Sequence, residues 1–157
     1  MALKPDRNHA EVTDIRQHWS ELDAQNTQEK GGMASLESQG SGVAMDAEEN
    51  VVQYADNPSG VTAMGILLQD VNPPLSATRD FKNHSNLEVR PGEKVTLVRQ
   101  GIVVTDLITG TPSAGDTAWL NVSGTVSPTQ PGGAPVVGRF ETSKDADGFA
   151  RLSVQIP

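Results

Sequence analysis

Pro91-Gly92-Glu93-Lys94-Val95-Thr96-Leu97 leads on to Gly101-Ile102-Val103, and 23 positions later Ala114-Gly115-Asp116-Thr117-Ala118-Trp119-Leu120 leads on to Gly124-Thr125-Val126. Gly, acid, Leu, Gly and Val recur in register. In each copy a Gly-acid turn launches a short apolar strand, and a second Gly, at Gln100-Gly101 or Ser123-Gly124, is expected to reverse it into the next. Stacked hairpins with alternating Val, Leu and Ile predict a mainly β chain. The expected architecture is a small β-barrel or a folded-over antiparallel sheet, because closure hides the edges of a short sheet. Two copies are too few for a solenoid.

Composition agrees with a turn-rich β protein. Of 157 residues, 15 are Gly and 10 Pro, while aromatics make up only 4%. Cysteine is absent, which removes disulfides and thiolate metal sites from consideration. No run approaches the roughly 18 apolar residues of a membrane span, and Met1-Ala2-Leu3-Lys4-Pro5-Asp6-Arg7 lacks the apolar core of a secretory signal, so a soluble protein made without export is expected. The net charge is −8, with acids and bases interspersed. A phosphate-neutralising surface, and with it a nucleic-acid partner, is not expected.

Residues 1–42 read as an N-terminal arm, polar and without strand-like runs, ending in the Ser38-Gln39-Gly40-Ser41-Gly42 hinge; residues 43–157 read as the barrel-like domain. Val12, Ile15, Trp19 and Leu22 fall at spacings that would line one face of a short helix. Burying four such side chains yields about 6 to 12 kcal/mol at best, while ordering some 14 residues costs about 1 to 2 kcal/mol each. The arm therefore needs something to lie on, either its own domain or another subunit.

Past the hinge, Val43 to Asp46 and Asn50 to Ala55 are strand-like runs, and Asn57-Pro58-Ser59-Gly60 is a turn. Val61 to Gln69 predicts a central strand with a bulge or kink at Gly65. Val71 to Asn86 is a long loop in which Pro73 and Pro74 cannot continue a ladder. Its Leu75 and Phe81 are either contact anchors or residues tucked onto the barrel. Val136 to Thr142 and Phe149 to Ile156 predict a last hairpin around Asp145-Ala146-Asp147-Gly148, with Leu152, Val154 and Ile156 on one face.

Chemistry is sparse. His9, His18 and His84 have no zinc-ligand spacing and read as ordinary surface histidines. Ser59 and Ser123 lack a nucleophile elbow, and Gly40-Ser41-Gly42 lacks the continuation of a phosphate loop. Asp145 to Gly148 has the front of a calcium loop but no closing Glu, which favours a hairpin turn. Only Asp80 and His84, in the long loop, would support an enzyme. No catalytic residue, metal or cofactor is expected.

Taken in order, Met1 to Arg7, Lys30-Gly31-Gly32, Ser41 to Asp46, Asn57 to Gly60, Met64 to Leu68, Gly110 to Asp116 and Lys144 to Gly148 resemble the head decoration, or capsid cement, proteins of tailed bacteriophages. The resemblance spans nearly the whole chain. It implies a non-enzymatic structural protein, made in the host bacterial cytoplasm and placed on the outer surface of the phage head. The implied partners are the major capsid protein and further copies of itself, as a homotrimer ahead of a dimer, with neither nucleic acid nor membrane. The implied role is to stabilise the shell against the pressure of packaged DNA. On this reading Val12, Ile15, Trp19 and Leu22 of the arm and Pro73, Pro74, Leu75 and Phe81 of the long loop form the contact surface. The alternative is a carbohydrate- or surface-binding β module of a fibre or virion.

Overall fold

The computed structural model describes residues 9–20, 28–36, 51–72, 88–90 and 92–157. In chain order the strands are β1 (His9–Ser20), β2 (Met33–Leu36), β3 (Val51–Gln53), β4 (Ala63–Leu67), β5 (Asp70–Val71), β6 (Glu88–Val89), β7 (Lys94–Thr105), β8 (Thr117–Leu120), β9 (Val126–Ser127), β10 (Val136–Phe140) and β11 (Ala150–Gln155). A single 3-10 turn, Val122–Gly124, is the helical element among the described residues.

β7 organises the fold. Its sequence is rich in β-branched residues, which suit a pleated and largely buried strand. Along one edge it pairs with β1, from Trp19↔Lys94 to His9↔Val103. The other edge is divided: Leu97 and Val98 pair with β4, and Gln100 to Thr105 pair with β11. At this fork the chain builds two sheets. One closes as β1-β3-β2-β4-β7 and back to β1, a closed five-stranded β-barrel. The other continues as β7-β11-β10-β8-β9. A ring with an odd number of strands must contain a parallel pair, and here it is β1 with β3, over Trp19↔Val51 and Ser20↔Val52.

Adjacent residues of a strand point to opposite faces, and this alternation separates two cores. Ala34, Val52, Leu67, Val95 and Leu97 fill the barrel, joined by Val71 and Val89 of the small parallel β5–β6 sheet. Their immediate neighbours Met33, Ile66 and Val98 lie opposite one another in register. They face outward into a second core with Leu120, Val137, Phe140, Leu152 and Val154. The wall β2-β4-β7 is therefore apolar on both sides.

The repeated motif is one local turn used twice. Glu93 Oε2 accepts from the Arg90 backbone N–H at 2.8 Å, and Asp116 Oδ2 accepts from that of Ser113 at 2.7 Å. Each acid also donates its own N–H to the same residue's carbonyl, at 3.0 and 3.1 Å. Beyond the turns the copies diverge. β8 and β9 form the expected hairpin, with Trp119 opposite Ser127. Gln100-Gly101, expected to turn, instead lies inside β7. Gly101 is paired with Val12 on one side and Val154 on the other, at φ 150°. With partners on both edges the strand continues, and the glycine allows a backbone twist that a side chain would resist.

The last hairpin forms as expected, with Phe140 opposite Leu152 and Asp145 Oδ1 accepting from the N–H groups of Asp147 and Phe149. Its carboxylate thus holds the turn. β4 carries the expected irregularity at Gly65, where the register with β2 shifts. Asn57 Oδ1 accepts from Ser59 N–H in the predicted turn.

The helix expected from Val12, Ile15, Trp19 and Leu22 is not formed. Over His9–Ser20 the chain is a strand, because β7 supplies backbone partners along its length, which outweighs a short helix of marginal stability. Residues 1–42 likewise contain two strands of the main sheet, β1 and β2, although they read as free of strands. The boundary placed at residue 42, and the run Val43 to Asp46, lie outside the described residues.

Candidate functional site

β1 presents the most distinctive surface. Ile15, Gln17 and Trp19, two apart, point outward, and Ile15 is 55% and Trp19 41% exposed. Large apolar side chains on a strand this well paired are held in place without being covered. The Lys94 Nζ sits over the Trp19 indole, 5.2 Å from its centroid, a cation–π contact that fixes the ring while leaving one face to solvent. Arg99 of β7 bridges to Asp14 at 3.8 Å and donates to the carbonyl of Pro157, tying β1 to the chain end. The C-terminal end of β1 is clamped by Ser20, whose Oγ donates to the carbonyls of Arg90 at 2.8 Å and Glu93 at 3.0 Å.

Of the arm residues expected to make contact, Ile15 and Trp19 are thus brought to one face. Val12 lies in the same strand, opposite Gly101. Leu22, Pro73, Pro74, Leu75 and Phe81 lie outside the described residues, as do Asp80 and His84. Lys94 was not singled out from the sequence, although its place beside Trp19 follows from the β1–β7 register. Val136, 49% exposed on β10, and Val122, 45% exposed, form apolar surface on the second sheet. Neither was anticipated, since Val136 reads simply as a strand residue.

The other face of β1 turns inward. His18 was expected on the surface but is only 6% exposed. It is opposite Val95 of the barrel core, and neither ring nitrogen has a hydrogen-bond partner. Burial lowers its pKa from the ordinary 6.5, and the charges of Arg16 and Arg99 act in the same direction. Tyr54 is a second inward polar group. Its hydroxyl donates to the Glu29 carbonyl and accepts from Gly32 N–H at 3.1 Å, and burial pushes it up. Among the described residues no cluster of His, Cys, Asp or Glu could hold a metal ion, and no helix is long and apolar enough to cross a membrane.

A barrel that closes on β1 and displays apolar side chains along it has, among the described residues, this surface as its distinctive feature. Residues 13–155 match the family model of the phage structural cement protein (E217 gp24/Pam3 gp6). The chain belongs to this family of phage structural cement proteins. Its role is that of a structural cement protein of phage heads, associated with the capsid of the virion. No curated protein matches the chain.

Proposed function

We propose that the protein binds the outer surface of the major capsid shell as a homo-oligomer, a trimer ahead of a dimer. In this reading the outward face of β1 is part of the contact. The observation that carries it is the exposure of Ile15 and Trp19 on a strand otherwise engaged with the barrel. Val12, Leu22, Pro73, Pro74, Leu75 and Phe81 extend the proposed surface, on an arm of residues 1–42 joined to a domain of residues 43–157. Binding across the seams between capsid subunits would stabilise the shell against the pressure of packaged DNA. Individually weak contacts suffice, because each further contact of one oligomer forms at a high effective concentration. The proposed role requires no catalysis, cofactor, nucleic acid or membrane.

The test is light scattering on the purified chain, followed by co-sedimentation with phage heads stripped of minor proteins. A discrete oligomer that saturates heads at fixed stoichiometry is expected. Protein that stays in the supernatant well above micromolar concentration overturns the reading and turns attention to glycan binding.

A further inference from the structure

β1 is held to the barrel unequally. Its ladder with β7 is long, but among the described residues its pairing with β3 is limited to two parallel pairs, at Trp19 and Ser20. The residue immediately before this seam is His18, buried and opposite Val95 of the barrel core. A neutral imidazole without a hydrogen bond is tolerated there only at a cost, and an imidazolium would be a buried cation without an acceptor.

The neighbouring charges do not offset that cation. On β1 itself stand His9, Glu11, Asp14 and Arg16; β7 adds Lys94 and Arg99; the turn before β7 adds Arg90 and Glu93; β3 contributes no ionisable group. Asp14 is engaged by Arg99, and Glu93 accepts from the Arg90 backbone. Asp14 and Glu93 are thus engaged elsewhere, while Arg16 and Arg99 both oppose a charge on His18.

We infer that the β1–β3 seam is an acid-released closure, opened when His18 takes a proton that the closed barrel cannot accommodate. The sign follows from linkage. The group binds protons more weakly in the closed strand than in the open one, so closure is most stable above the ordinary pKa of 6.5 and weakens as pH falls through the lowered value. Between those two values the open population rises about tenfold per pH unit. Because β1 carries Ile15 and Trp19, release would also disturb the proposed capsid contact. That consequence rests on the reading above, whereas release itself does not.

Hydrogen exchange of the intact purified protein between pH 7.5 and 5, corrected for intrinsic exchange, tests the release without any capsid. The seam end of β1, residues 18–20, together with residues 51–53 of β3, is expected to lose protection progressively as pH falls below 6.5 while residues 150–155 keep theirs, and His18→Leu is expected to abolish the dependence. Equal acid loss at the seam and in residues 150–155, no loss at the seam, or the same loss in His18→Leu overturns the inference. Should His18→Leu fail to fold, the comparison of the seam with residues 150–155 in the unaltered protein still decides.

Discussion

Replacing Ile15 with Ser tests whether the face of β1 is a contact surface. Complete burial of an Ile side chain is worth about 1.5–3 kcal/mol, and 55% of Ile15 is available for a partner to cover. The substitution should therefore weaken each capsid contact by about 0.8–1.7 kcal/mol, roughly 4- to 17-fold. If a trimer binds through three such contacts, the losses compound to roughly 50- to 5,000-fold. Stability should change little, within about 0.5 kcal/mol, as for surface substitutions generally. The assay is half-saturation of stripped heads by co-sedimentation, with melting temperature as the folding control. Val136→Ser is the companion, since Val136 is 49% exposed but lies on β10 in the other sheet; its binding should change less than about twofold, as expected for a residue outside the contact. Unchanged binding by Ile15→Ser, or equal losses for both variants, would refute the assignment of the contact to β1.

Two further substitutions probe the framework. In Gly138→Ala the added Cβ would lie 2.0 Å from the Ser153 carbonyl oxygen, at a residue with φ 157°. Backbone strain of about 1–3 kcal/mol and weakened ladder bonds at about 1 kcal/mol each predict a loss near 3 kcal/mol, a fall of about 6–12 °C in Tm. Gly148→Ala, with nothing within 4 Å of the added atom, should cost only about 1–2 kcal/mol, and similar melting of the two variants would show that the close approach is not limiting. Asp106 has a buried Oδ1 without a partner, and burial raises its carboxyl above the ordinary 3.8. The folded state then holds this proton more tightly, so stability is lost as pH rises through the raised value. Asp106→Asn should melt above the unaltered protein at pH 7, with the gap closing below pH 3.8; a lower Tm at pH 7 would sink this account.

What could be read from the sequence depended on how far away the deciding partner lies. The hairpins β8–β9 and β10–β11 were legible because their turns are local: Asp116 and Asp145 bond backbone groups within a few residues. Gly101 and Gly124 look alike in sequence, yet only Gly124 belongs to a turn. The difference is that Gly101 has Val12 and Val154 beside it, both distant in the chain. β1 was misread for the same reason. A spacing that suits a helix was overridden by backbone partners some 75 to 94 positions away, as tertiary pairing commonly overrides local preference. Ile15 and Trp19 nonetheless fall on one exposed face, because residues four apart share a face in either geometry. His18 was missed because only barrel closure turns that face of β1 inward.

The division of the core gives this arrangement a physical rationale. Leu97 and Val98, adjacent on β7, serve the barrel and the second core respectively. The second core draws on β2, β4 and β7 through β11, and no described β1 side chain belongs to it. Loss of β1 would therefore open the barrel while leaving Phe140, Leu152 and their neighbours packed. A cement protein built this way can present β1, the proposed contact strand, on a body whose second core does not depend on that strand. The short parallel seam beside His18 joins β1 to β3 through two pairs among the described residues, fewer than its antiparallel ladder with β7. Strain transmitted through a bound capsid and protonation of His18 would consequently act on the same seam.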